Sequence, residues 1–177
     1  MSSRNYSESG IGCYTYELKP TKKSFLKLIH QAKLENELKK FVTFCLEIKD
    51  DKYDEKKLEV SGGGFISYNG ISLDDYDDYF DTGYCGRCAV YEFLAMAISK
   101  EIEEKTNEQD SVVYVPSSED DTDAVLYQLS GPWYYLSNNI KLMSYDKYES
   151  IFNKYANILV EDSKNQLFHF VDVSIYG

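Results

Sequence analysis

The stretch Cys88-Ala89-Val90-Tyr91-Glu92-Phe93-Leu94-Ala95-Met96-Ala97-Ile98-Ser99-Lys100-Glu101-Ile102 decides the architecture. Ala89, Val90, Phe93, Leu94, Ala97, Ile98 and Ile102 recur at helical spacing, so the stretch predicts a buried central helix over about 88–104. A helix apolar over so much of its surface must be covered, and short alternating runs on both sides supply the cover. Downstream, Val112–Val115 reads as a buried strand ended by Pro116. Upstream, Asn69-Gly70 between alternating residues is a hairpin signal.

Further out, Ile11–Leu18 alternates and predicts a strand, while the polar residues 1–10 predict a flexible tail. Pro20 and Thr21 mark the start of a helix carrying Phe25, Leu28, Ile29, Ala32 and Leu38 on one side and lysines on the other. Phe41–Ile48 alternates and predicts a second strand. Asp121 or Thr122 is placed to cap a short helix through Leu129, stopped by Gly131-Pro132. Ser144 is placed to cap a helix over Tyr145–Tyr155. Ile158–Val160 and Leu167–Ile175 predict a final antiparallel hairpin. The order predicts a single α+β domain over 11–177, with a mostly antiparallel sheet, the central helix and two or three further helices.

The 177 residues carry a net charge of -11, with 30 acids against 19 bases. No run reaches the ~18 apolar residues of a membrane helix. Met1–Gly12 lacks the apolar core of a secretory signal, so a cytoplasmic location is expected, with no membrane partner. Only Arg4 and Arg87 are arginine, the side chain that grips phosphates in a bidentate fork. An acidic chain so poor in arginine is not expected to bind nucleic acid directly.

The charge is uneven. Asp74-Asp75-Tyr76-Asp77-Asp78-Tyr79-Phe80-Asp81 holds five carboxylates and no base, and Glu119-Asp120-Asp121-Thr122-Asp123 holds four. Seven lysines fall between Lys19 and Lys40. The 17 tyrosines, many beside acids, suit contact surfaces, because a phenol offers ring area and tolerates water.

The sharpest chemical pattern is Gly83-Tyr84-Cys85-Gly86-Arg87-Cys88-Ala89, immediately before the central helix. A thiol at a helix N-terminus has its thiolate stabilised by the helix dipole. The segment resembles the one in which papain-like cysteine peptidases keep their nucleophile, with Cys88 in that position. It departs from them at Thr82, where they place an oxyanion-hole glutamine, and at Ala89, where they place tryptophan. The resemblance implies a cysteine hydrolase with His169 as base, although Asp172 points to the other face of the same strand.

Other motifs fail. Zinc needs a second Cys-x-x-Cys knuckle or equivalent ligands, and Cys13, His30, Cys45 and His169 are scattered. Counted from Asp77, an EF-hand would need glycine at Thr82 and glutamate at Cys88. The triple glycine Gly62–Gly64 lacks the lysine of a phosphate loop. No metal or cofactor is expected.

The favoured expectation is therefore an acidic, tyrosine-rich, non-catalytic protein that blocks the basic groove of a nucleic-acid-processing protein. Carboxylates stand in for phosphates and phenol rings for stacked bases. The contact set is Asp74, Asp75, Tyr76, Asp77, Asp78, Tyr79, Asp81, Glu119, Asp120, Asp121 and Asp123. In composition, though not in motif, the chain is similar to phage-encoded inhibitors of host defence such as anti-CRISPR and antirestriction proteins, which implies a host-cytoplasmic setting. The alternatives are the Cys88/His169 hydrolase and an interaction or immunity-type protein with no catalytic residues.

Overall fold

The computed structural model describes residues 5–73, 79–80, 88–117, 122–160 and 166–176. Among them, five α-helices and seven strands in two antiparallel sheets form an α+β fold. The central helix, α3 (Ala89–Thr106), is buried where its apolar stripe demands and packs on α1 (Lys22–Ala32), α5 (Tyr145–Ala156) and strands β5 (Val112–Val115) and β6 (Ala124–Tyr127). The main sheet has the order β5-β6-β1-β7, with β1 over Asn5–Tyr14 and β7 over His169–Tyr176. The smaller sheet joins β2 (Leu58–Val60), β3 (Ile66–Tyr68) and β4 (Ile71–Ser72). Its hairpin turns at Asn69 (φ 52°) and Gly70 (φ 80°), the two left-handed residues an Asn-Gly turn provides.

Thr21 starts α1 as expected, its hydroxyl accepting from the Ser24 amide at 3.1 Å. The helix then stops early. Lys33 takes a left-handed conformation (φ 56°), and the chain re-enters a helix, α2 (Glu35–Leu46). The expected strand over Phe41–Ile48 is thus corrected. Leu38, Phe41, Val42 and Cys45 are the buried apolar positions, at helical spacing, and Phe44 faces outward. Glu35 and Glu37 fall in the first turn, where the helix dipole favours acids.

Four other expectations are corrected. Residues 5–10 are not a tail but the first half of β1, paired with β7 from Asn5↔Tyr176 to Gly12↔His169. Their polar side chains hide a strand held by its backbone ladder to β7. Residues 124–127 form β6 instead of a capped helix, because all four are buried between β5 and β1. The C-terminal hairpin is not seen among the described residues: Asn157–Leu159 is a 3₁₀ turn after α5, and among the described strands β7 pairs with β1 alone. Gly131-Pro132 likewise opens a helix, α4 (Pro132–Ser137), with Pro132 at its first position.

The main sheet has two apolar faces. One carries Cys13, Val125 and Tyr114 toward α3. The other holds a second cluster of Val115, Ala124, Leu126, Val171 and Val173. The sheet curls around that cluster until its two edges meet, Ser117 just beyond β5 donating from Oγ to the Ser174 carbonyl of β7 at 3.2 Å. Gly12 lies inside the curl. A Cβ there would overlap the Val125 carbonyl oxygen and stand 2.7 Å from the Leu126 Cα, so only glycine permits the approach.

Candidate functional site

Of the expected contact set, Asp74, Asp75, Tyr76, Asp77, Asp78, Asp81, Glu119, Asp120 and Asp121 lie outside the described residues, as does Cys85. The two members that are described serve the fold. Tyr79 packs its ring on Phe41, Phe44 and Phe80, and its hydroxyl donates to the Glu37 carbonyl at 3.3 Å. Asp123 accepts from the Tyr114 hydroxyl at 2.7 Å and from the Ser117 amide at 2.8 Å, tying β5 to β6.

Cys88 caps α3, as the sequence suggested, but it is buried and within hydrogen-bonding reach of the Tyr114 phenol. His169 is in register with Gly12, one residue from Cys13, so its row faces the side of the sheet opposite Tyr114. Its Nε2 lies 2.8 Å from a Glu17 oxygen. Thiol and imidazole do not meet. Among the described residues, no three His, Cys, Asp or Glu side chains converge as a metal site, and no helix is long and apolar enough to cross a membrane.

A developed concavity lies elsewhere among the described residues. A cavity of about 770 Å³ opens between α3, the edge strand β5 and the α1–α2 corner. That is within the size range of small-molecule sites, roughly 300–1,000 Å³. Glu92, Ala95, Met96, Ser99, Lys100 and Glu103, spaced by three and four, place one face of α3 along it. Val112, Val113 and Tyr114 form the strand wall, and Leu34 and Glu37 the corner. Ser99 seals the edge of β5, donating to the Val112 carbonyl and accepting its amide, each at 2.9 Å. Lys100 is drawn to the end of α1, its Nζ donating to the carbonyls of Ala32 (3.0 Å) and Lys33 (3.2 Å).

Glu92 is the unusual group. It is 8% exposed, and its Oε1 has no hydrogen-bond partner. Burial pushes its carboxyl up to about 7. Other enclosed acids are satisfied. Glu108 accepts from the Tyr127 hydroxyl at 3.0 Å and the Tyr148 hydroxyl at 3.4 Å. Burial alone would raise Glu101, yet hydrogen bonds from Lys105, Lys154 and Tyr155 outweigh it and hold the carboxyl down at about 2. The sequence carried a signal for Glu92 that the apolar stripe obscured: it is the one charged residue between Ala89 and Ser99.

Compared with known proteins, the chain matches no protein-family model, no curated protein and no solved structure.

Proposed function

We propose that this chain is a non-catalytic, anionic binding protein that covers a basic surface of a nucleic-acid-processing protein. The observation that carries the reading is α4 and its surroundings. This six-residue helix contributes no buried residue, with Trp133 83% exposed and Leu136 74% exposed, and Leu129 just before it is 72% exposed. Tyr135 anchors the segment, its hydroxyl accepting from the Ser130 amide at 2.9 Å. An apolar, aromatic surface that the molecule does not use for its own core suits a partner, and tryptophan is among the residues enriched at interface hot spots. A net charge of -11 selects a basic partner by steering and by like-charge exclusion of others.

In this reading the acidic runs at Asp74–Asp78 with Asp81, and at Glu119–Asp121, supply the attraction. Tyr79 and Asp123 do not, because their polar groups are already engaged.

The test is capture from a host lysate at about 50 and 500 mM salt, with bound proteins identified and DNA added as competitor. The expected partner is a nucleic-acid-binding protein, released roughly tenfold or more at the higher salt and displaced by DNA. Changing Asp74, Asp75, Asp77 and Asp78 together to Asn abolishes capture, as does Trp133→Ala, while Cys88→Ala leaves it intact. A partner that is not basic, or one held equally at both salts and indifferent to DNA, overturns the reading.

A further inference from the structure

The chain buries Glu92 without giving both its oxygens partners. Removing a carboxyl group from water is costly unless hydrogen bonds replace the lost solvation. Here one oxygen is sealed and unpartnered, on a residue that lines a cavity large enough for a small organic molecule. The nearest cationic candidate on the same helix, Lys100, is committed to the carbonyls that end α1. The charges along the walls are unbalanced toward the negative, with Glu8, Glu103 and Asp110 joining Glu92 against Lys33 and Lys100, while Glu37 is paired with Lys40 at 3.1 Å. Leu34, Met96 and Val112 line it with apolar surface.

We infer that this cavity binds an organic cation, a primary ammonium or guanidinium on a short aliphatic stem, with Glu92 as its counter-ion. Once the side chain turns its sealed oxygen toward the cavity, the cation supplies N–H donors to the carboxylate, and a guanidinium supplies two in the fork that matches it. The stem covers the apolar wall. An anionic ligand would meet the unbalanced acids. A hard divalent ion would find one buried carboxylate among apolar neighbours, where it needs about six oxygens. The inference does not depend on α4 or on the identity of a protein partner.

The chemistry has two sources, a free small amine or an arginine or lysine side chain presented by another protein. Calorimetric titration of the intact chain with agmatine, with the blocked tripeptide acetyl-Gly-Arg-Gly-amide, and with butyrate as the anionic control separates them. Agmatine binds and butyrate does not. Tripeptide affinity within threefold of agmatine assigns the site to a protein side chain, and agmatine binding alone assigns it to a free amine. Glu92→Gln weakens agmatine at least tenfold, and a cooperative melt of that variant shows that the loss is not unfolding. At pH 6, titrations in two buffers of different ionisation heat show proton release by the wild type and none by Glu92→Gln. No binding at millimolar agmatine, or equal binding by Glu92→Gln, overturns the inference, and either result leaves the salt-dependent capture experiment unaffected.

Discussion

Glu92 makes the protein's stability sensitive to pH in a direction opposite to most acids. Its carboxyl titrates at about 7 in the folded chain against 4.5 when unfolded, so between those values the folded state holds the extra proton. Stability from this group is complete below 4.5 and is lost as pH rises through 7. Glu92→Gln therefore leaves urea stability unchanged near pH 4 and raises it at pH 8, by at most about 3 kcal/mol. Glu101 runs the other way. Held at about 2 in the folded chain, it stabilises above 4.5 and loses that contribution as pH falls through 2. Urea midpoints measured for Glu101→Gln approach those of the wild type only in acid.

The thiols give a second check at the same scale. Cys13, Cys45 and Cys88 are all buried, and burial, with the Glu17 charge adding to it, pushes the Cys13 thiol well up. In a Cys85→Ser background, an aromatic disulfide reagent labels the native protein at least tenfold more slowly than the urea-unfolded chain. Rapid native labelling at Cys88 would restore the hydrolase alternative.

At the scale of elements, periodicity was a good guide where only one period fitted. The stripe of α3 and the Asn69-Gly70 turn are unambiguous in the sequence, and both form. Residues 38–46 satisfy two periods at once, and the competition was settled by which side chains the surrounding core could bury: Phe41 and Cys45 go in and Phe44 stays out. Asp121 and Thr122 imitate a helix cap, yet residues 124–127 are drawn into the sheet, and Asp123 before them binds Tyr114 and Ser117. Residues 5–10 give no apolar signal, because the strand they form is specified by β7. The cavity was not legible at all, since it needs α3, β5 and the α1–α2 corner brought together from distant parts of the chain.

Two predictions concern elements. Gly12→Ala forces a methyl group against the backbone of β6, and costs about 3 kcal/mol in chemical denaturation. Replacing Trp133 and Leu136 in α4 by alanine leaves the melting temperature within about 2 °C, because neither side chain is in the core. A large loss of stability in that double variant would place the helix in the core and remove the ground for treating it as a docking surface.

For the whole molecule, the organising fact is the pairing of β1 with β7, eight registered positions joining residues 5–12 to 169–176. Contacts so distant along the chain are slow to form, since a long loop must close before any ladder bond is gained. While the ribosome is still adding residues 124–168, the N-terminal segment has no β7 to zip against, and its open hydrogen-bonding edge needs shielding from neighbouring chains. β7, translated after the other six described strands, thus acts as the latch that ends this vulnerable interval.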